Sequence, residues 1–301
     1  MEGFLFIIWV IMKINPIVFA VLAAALYSLN SPLSKLLLSS VSPEMMAGFL
    51  YLGAGIGMFI IHIFHKNSDE KPLTKKDLPY AILMVILDIA APILMMTGLK
   101  SATAANASLL NNFEIVATSL IALIVFKERI RKMLWAAIVL IVISSALLSF
   151  EDVSAFSFSI GSIFVILACT CWGLENNCTR MISGKSPEEI VIIKGLGSGI
   201  GALIVAFMIG APFPALSTIP LILLLGFASY GLSVFFYVYA QRCLGAARTS
   251  AYYALSPFIG SFLSFIILHE QPTLMYGAAL IVMIAGTVLV TMDSLSDVYE
   301  C

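Results

Sequence analysis

The stretch CTCWGLENNCTR, residues 169–180, places a carboxylate and two amides in an otherwise apolar segment. An ionised carboxylate is costly in apolar surroundings unless it faces a protein interior or a wet cavity. Four of its residues share one helical face, at i, i+3, i+4 and i+7: Trp172, Glu175, Asn176 and Thr179. The stripe predicts a polar binding site inside a helix bundle.

A lysine offers Glu175 a partner. Glu175 lies about seven residues before the end of its predicted helix and Lys194 about seven after the start of the next, so both are roughly 11 Å deep. We therefore expect an ion pair between neighbouring helices. Two interpretations stay open: the pair neutralises two buried charges for structural reasons, or the ammonium and carboxylate of a substrate compete for the two residues.

A second acidic cluster surrounds Glu114, which lies near the middle of another apolar run with Asn111 and Thr118 on nearby turns. Such a carboxylate binds a cation, carries a coupling proton, or is held protonated by hydrogen bonds between helices, and all three options stay open. The candidates for proton coupling are the three deep carboxylates: Asp88, Glu114 and Glu175.

Tyrosines accompany these acids. Tyr230, Ser233 and Tyr237 share one helical face, which is typical of packing, but beside carboxylates such a face also encloses organic cations by cation–π contact. The predicted substrate-binding residues are Tyr27, Asn30, Trp172, Glu175, Asn176, Lys194, Asn111, Glu114, Tyr230 and Tyr253.

The elements that position these residues are membrane spans. Of the 301 residues, 61% are hydrophobic and 11% charged, which excludes an ordinary soluble domain. Apolar runs of about 20 residues, enough to cross a bilayer, recur along the chain. We predict an all-α integral membrane protein with ten spans: 15–38, 43–64, 78–98, 103–126, 132–150, 157–182, 187–209, 217–240, 248–268 and 272–292. Residues 1–14 are predicted to form an interfacial lead-in, and residues 293–301 a cytoplasmic tail.

The chain repeats itself. LGAGIG at 52–57 recurs as LGSGIG at 196–201, SPE at 42–44 recurs at 186–188, and YSLNSPLSK at 27–35 aligns with WGLENNCTR at 172–180. The nearly constant offset predicts two five-helix repeats, 15–150 and 157–292. Because five is odd, the second repeat enters the membrane from the opposite side, so the repeats are inverted.

Basic residues predict the orientation. Of the 16 Lys and Arg, 13 fall on one predicted side of the membrane, whereas Lys100 alone falls on the other and Lys35 and Lys194 lie within spans. The 13 are Lys13, Lys66, Lys71, Lys75, Lys76, Lys127, Arg129, Arg131, Lys132, Arg180, Lys185, Arg242 and Arg248. By the positive-inside rule both termini are cytoplasmic, in a plasma-membrane protein.

Ten short spans in two inverted halves, WGLENN in the sixth span, and a glutamate after the fourth (Glu128) and the ninth (Glu270) resemble the drug/metabolite transporter superfamily, in its EamA-domain family. The resemblance covers about residues 15–292. It implies a secondary transporter that works by alternating access and holds its substrate between the halves. Members carry amino acids, amines, other metabolites or drugs, so the substrate does not follow from the fold.

Function is predicted from the buried charges. Three buried acids beside one or two buried lysines favour a small polar, amine-bearing metabolite such as an amino acid. Efflux of lipophilic or cationic drugs is the alternative, and a non-transporting membrane receptor or organising protein is the alternative from another class. An enzyme is not expected, because the sequence contains neither HExxH nor a glycine-rich phosphate loop.

The expected partners are a small-molecule substrate and the lipid bilayer, with a coupling proton as an option, in a monomer or weak dimer. The five cysteines lack metal-binding spacing, so we expect no metal and no cofactor. A net charge of -1 provides no field that would recruit nucleic acid.

Overall fold

The computed structural model describes residues 16–64, 71–127, 130–152, 157–182, 184–244, 249 and 252–299. The predicted lead-in at 1–14 and the repeat-related Glu128 lie outside these residues, as do Lys13, Lys66, Arg129 and Arg248.

The described part of the first repeat is helical. It contains α1 (Pro16–Ser28), α2 (Asn30–Leu37), α3 (Pro43–Phe64), α4 (Leu78–Ser101), α5 (Ala104–Leu110), α6 (Phe113–Phe126) and α7 (Lys132–Ser149). Two short antiparallel strands follow, β1 (Phe150–Asp152) and β2 (Ser157–Phe158), with Phe150 opposite Phe158. The sequence did not predict this hairpin, which ends the fifth helix at Ser149 instead of 150 and starts the sixth at Ile160 instead of 157.

The described part of the second repeat is also helical, with two π-helical stretches. It contains α8 (Ile160–Met181), α9 (Pro187–Ile193), π1 (Lys194–Ser198), α10 (Gly199–Met208), α11 (Ile219–Gly226), π2 (Phe227–Leu232), α12 (Ser233–Leu244), α13 (Ser256–Leu268) and α14 (Leu274–Tyr299). The last helix is longer than predicted, because it continues through most of the expected tail at 293–301.

In the described part of the chain, eight helical segments are long and apolar enough to cross a membrane. They are Pro16–Leu37, Pro43–Ile63, Leu78–Ser101, Ala104–Val125, Lys132–Ser149, Glu188–Met208, Ile219–Ala240 and Leu274–Asp293. The apolar helix α13 is shorter, and α8 has 22 residues but carries Glu175, Asn176 and Asn177 in its second half. The protein is therefore a helical integral membrane protein.

Prolines account for two interruptions of the spans. Pro32 has no N–H for the carbonyl of Ser28, and the chain turns at Leu29 between α1 and α2. Pro257 likewise has no N–H for the carbonyl of Tyr253, and a turn at Ala254 and Leu255 precedes α13. Both turns lie next to tyrosines that were predicted to bind substrate.

The repeated glycine motifs pack against each other. A Cβ added at Gly55 would lie 2.5 Å from the backbone nitrogen of Leu196, and one added at Gly199 would lie 2.6 Å from that of Leu52. Early residues of one motif thus meet late residues of the other, so α3 runs antiparallel to π1 and α10. Only glycine allows backbones to approach this closely.

Candidate functional site

Lys194 lies between two buried carboxylates. Its Nζ is 3.0 Å from Oε1 of Glu175 on α8 and 3.3 Å from Oδ2 of Asp88 on α4. The carboxylates are 1% and 0% exposed, whereas the lysine side chain is 24% exposed. The Thr179 hydroxyl also donates a hydrogen bond to Glu175. The structure therefore brings Glu175 and Lys194 together, and adds Asp88 to the pair.

Tyr51, which the sequence analysis missed, connects this triad to the tryptophan. Its hydroxyl donates to Oδ1 of Asp88 at 3.1 Å and accepts from Nε1 of Trp172 at 3.3 Å. Tyr51 precedes LGAGIG on α3, and its counterpart in the second repeat is Gly195. Aligning the two repeats pointed to positions that are polar in both copies. Tyr51 aligns with a glycine, so the alignment did not mark it as a site residue.

Glu114 forms the second acidic centre. It lies in the first turn of α6, where Oε1 accepts a 2.6 Å hydrogen bond from the amide of Asn176, which is also 3.4 Å from the hydroxyl of Thr118. The side-chain amide of the neighbouring residue, Asn177, has a different role. Asn177 donates to the carbonyls of Thr118 and Gly173 and so joins α6 to α8. Asn176 faces the site and Asn177 belongs to the helix contact.

The predicted tyrosines form one connected cluster. The ring centroid of Tyr27 lies 5.9 Å from that of Tyr230 and 5.7 Å from that of Tyr253. The ring centroids of Tyr230 and Tyr51 are 5.1 Å apart. Tyr237 extends the cluster, 5.1 Å from Tyr253. Four separate spans contribute these rings, so the cluster lies at the centre of the bundle. Glu114 is close enough to Tyr27, Tyr230 and Tyr253 to interact with them electrostatically.

Asn30 fixes one of these rings. Its amide donates to the Tyr230 hydroxyl at 2.9 Å, and its Oδ1 accepts from the Ser34 hydroxyl at 3.0 Å. Asn30 is 2% exposed, which makes it a support for the cluster.

Asn111 differs from the expectation. It lies at the turn between α5 and α6, its side chain is mostly buried, and its Oδ1 is 3.9 Å from the Cys169 sulfur. Its backbone carbonyl accepts from the Glu114 amide. Asn111 therefore shapes the turn that presents Glu114, and its side chain points to α8 at Cys169.

Exposure separates the site into two layers. Asn30, Asp88, Trp172 and Glu175 are buried, whereas Tyr27, Glu114, Asn176, Lys194 and Tyr253 keep partial exposure. The first group is packed inside the protein, and the second keeps some accessible surface. Among the described residues, no three His, Cys, Asp or Glu come together as a metal site.

Two charged side chains link helix ends at one end of the bundle. The carboxylate of Glu270 accepts from the backbone amides of Ala104 and Ala105 at 2.8 and 2.9 Å. Lys35 donates to the carbonyls of Leu99 and Ala102 at 2.6 and 2.7 Å, and to that of Lys100 at 3.0 Å. Both charges satisfy helix-end groups and interact favourably with the helix dipoles. We call Lys35, Glu270 and the turn 99–105 the end clasp.

Comparison with known proteins assigns the family. The sequence profile of the EamA-like transporter family matches residues 14–150 and again residues 159–292. This chain belongs to the EamA-like transporter family. The resemblance seen in the sequence is thereby confirmed, and this EamA chain is a membrane transporter.

Curated relatives of this EamA chain agree. An uncharacterized transporter of Methanothermobacter thermautotrophicus is 30% identical over 285 residues, 88% of this chain and 82% of that protein. The uncharacterized transporter YyaM of Bacillus subtilis is 25% identical over 245 residues, 77% of this chain and 79% of that protein. Both are named as transporters and not as enzymes.

A solved structure described as "Crystal structure of protein" shares the fold. Its TM-score is 0.67 at 15% identity, over 93% of this chain and 96% of that one. The likeness concerns the fold alone.

Proposed function

We propose that this EamA-family chain is a secondary active transporter of a small polar, amine-bearing metabolite such as an amino acid, working by alternating access across the plasma membrane. One observation carries the proposal: a carboxylate, an amide and three tyrosines from five spans come together inside the bundle, and four of these five side chains keep partial exposure. Polar residues inside a membrane bundle mark substrate pathways, because elsewhere they would be costly.

The proposed architecture is ten spans in two inverted repeats, 15–150 and 157–292. The two separate profile matches support it. Helix directions support it as well. Gly197 and Gly201 meet Val85 and Ile89 in the same order along the chain, so the seventh span is parallel to the third, while α3 and α10 are antiparallel. Inversion requires this combination, since it reverses every second-repeat helix relative to its counterpart.

The end clasp supports alternating access. It joins three parts of the chain through two charged side chains: the end of α2, the turn 99–105 and the segment after α13. A substrate that binds the open state more tightly than the closed state would shift the population toward the open state. By the positive-inside rule this end is extracellular and both termini are cytoplasmic.

Proton coupling is assigned to the same carboxylates. Glu114 is the first candidate, because it is partly exposed and lies beside the space a ligand reaches, while Glu175 and Asp88 are engaged by Lys194. If the substrate ammonium and a proton compete for Glu114, this competition would couple transport of the substrate to transport of the proton.

Efflux of lipophilic or cationic drugs is the second candidate function. The tyrosine cluster favours it, since aromatic faces bind organic cations without a fixed hydrogen-bond pattern. A non-transporting receptor would use the same residues, and flux distinguishes it. We propose a monomer or weak dimer as the transporting unit.

Uptake and exchange in proteoliposomes test the proposal. A metabolite panel should reveal saturable flux, and Glu114→Gln and Glu175→Gln should each reduce it by at least about tenfold, equivalent to about 1.4 kcal/mol. Size-exclusion profiles should show that both variants fold. Glu44→Gln, in the first turn of α3, is the matched control.

The results have distinct meanings. If both glutamate variants keep wild-type flux and pH dependence, the assigned site is wrong. Tight binding of a panel compound without flux of any compound would instead favour the receptor.

A further inference from the structure

The charges inside the bundle are unequal. Among the described residues, Asp88, Glu114 and Glu175 supply three carboxylates around the site, while Lys194 supplies one ammonium. Lys194 is paired with Asp88 and Glu175 and its charge also acts on Glu114, so one ammonium is set against three carboxylates. When all three carboxylates are ionised, the site therefore carries an excess of negative charge.

A zwitterionic amino acid needs a cation or hydrogen-bond donors for its carboxylate, and the cation at the site, Lys194, is already paired. Its Nζ lies 3.0 and 3.3 Å from two carboxylates that are almost completely buried. Drawing Lys194 toward a substrate carboxylate would leave those two charges together without compensation. A buried charge stripped of its partner is strongly destabilising, so the substrate would gain little from the exchange.

Lys35 and four backbone amides near the site are occupied too, whereas the buried hydroxyls of Ser108 and Ser256 have no hydrogen-bond partner among the described residues. Lys35 donates to three carbonyls in the end clasp. Helix N-termini inside membranes often bind anionic groups, but the amides at these turns are already bonded. Those of Glu114 and Ile115 donate to the carbonyls of Asn111 and Asn112. Those of Phe258 and Ile259 both donate to the carbonyl of Leu255.

Glu114, in contrast, has a carboxylate oxygen that is available to bind a cation. Oε1 accepts from Asn176, whereas among the described residues no donor is hydrogen-bonded to Oε2. The rings of Tyr27, Tyr230 and Tyr253 lie within electrostatic range of this carboxylate. A carboxylate beside aromatic faces is the arrangement that binds ammonium and quaternary ammonium groups.

We infer that the substrate is an organic cation without a carboxylate, whose ammonium group binds Glu114 between Tyr27, Tyr230 and Tyr253. This narrows the proposed amine-bearing metabolite to amines other than amino acids, and it rests on the proposed transport function. The Lys194 triad then stays paired throughout the cycle, and Glu114 is the residue that exchanges partners.

Matched compounds test the inference. Each set contains an amine, the amino acid with the same side chain, and the carboxylic acid without the amine; phenethylamine, phenylalanine and 3-phenylpropionate form one set, and alkyl, imidazole, indole and guanidinium side chains form the others. Binding is measured by thermal shift of the purified full chain and by competition in proteoliposomes. In at least one set the amine should bind at least roughly tenfold more tightly than its amino acid, because Lys194, the cation that could pair with the added carboxylate, already has two partners.

Variants connect the preference to Glu114. Glu114→Gln should weaken amine binding by roughly thirtyfold or more, since one member of a buried charge pair is lost. Glu114→Asp should retain part of the affinity, and Glu44→Gln should retain all of it.

Three results would overturn the inference: an amino acid that binds more tightly than its amine in every set, amine binding that survives Glu114→Gln, or no binding of any amine. In the first case, flux of the amino acid would leave the transporter proposal standing. Absence of flux for every compound would remove that proposal as well.

Discussion

At the scale of single residues, substitutions in the Lys194 triad test whether its charges stabilise the fold. Lys194→Met would leave Asp88 and Glu175 buried without a counter-charge, so we expect a loss of about 3–5 kcal/mol in the free energy of unfolding. Adding Asp88→Asn and Glu175→Gln should restore much of that loss, because both charges disappear. Thermal unfolding in detergent measures each step, and equal stability of Lys194→Met and wild type would contradict the triad.

Tyr51 is the second residue whose role can be tested alone. Tyr51→Phe removes the donor to Asp88 and the acceptor for Trp172, leaving Oδ1 of Asp88 and Nε1 of Trp172 without the hydrogen-bond partner that each has in the described residues. We expect a loss of about 1–3 kcal/mol in stability. Tyr239→Phe is the control, since Tyr239 packs its ring against Phe19 at 4.7 Å. Similar unfolding temperatures for the two variants would contradict a linking role for the Tyr51 hydroxyl.

The site residues show what a single sequence reveals about chemistry. The i, i+3, i+4, i+7 stripe on α8 could be predicted because helical periodicity alone places its members together. The contact between Glu175 and Lys194 could be predicted because both residues lie at about the same depth in neighbouring predicted spans. The contacts of Tyr51, and the contact of Asp88 with Lys194, depend on how α3 and α4 are rotated about their axes. Packing between distant segments sets this rotation, and helical periodicity in the sequence does not reveal it.

At the scale of helices, close backbone contacts hold the halves together. A Cβ at Gly226 would overlap the carbonyl oxygen of Leu50, so Gly226→Ala must push α11 away from α3. We expect a loss of about 1–3 kcal/mol in stability. Gly277→Ala is the matched control: nothing lies within 4 Å of the added Cβ, and alanine in a helix should gain about 0.5–1 kcal/mol. Unfolding temperatures that move in the same direction would contradict this account.

The end clasp acts at the same scale, because it joins helix ends that are far apart in the sequence. Glu270→Gln cannot accept both amide hydrogens of α5 as a charged carboxylate does, so the closed end should open more often. A cysteine at Ser108, which is 2% exposed and one turn deeper, reports the opening. We expect faster labelling by a small thiol reagent in Glu270→Gln than in Glu44→Gln. Equal rates would show that the clasp does not close this end.

For the whole molecule, eight of the ten predicted spans coincide with described helices that are long and apolar enough to cross a membrane, because hydrophobic length is a strong signal. The hairpin between α7 and α8 and the extension of α14 to Tyr299 were missed. A two-residue strand has no periodicity to detect, and a polar helix that leaves the membrane lacks the apolar run that defines a span. Sequence thus predicts which segments cross the membrane more reliably than where each one ends.

The inverted arrangement makes a prediction about the two faces of the whole molecule. Residues 65–77 between α3 and α4 are rich in lysine and should be cytoplasmic, whereas the segment between α10 and α11 lacks basic residues and should be extracellular. Single cysteines at Lys75 and Leu216, both exposed, test this in a chain whose five native cysteines are replaced by alanine. A membrane-impermeant thiol reagent applied to intact cells should label Leu216→Cys at once, but Lys75→Cys only after permeabilisation. The reverse pattern would invert the assigned orientation, and labelling of both from one side would rule out the proposed inverted repeats, since an odd number of spans separates corresponding loops.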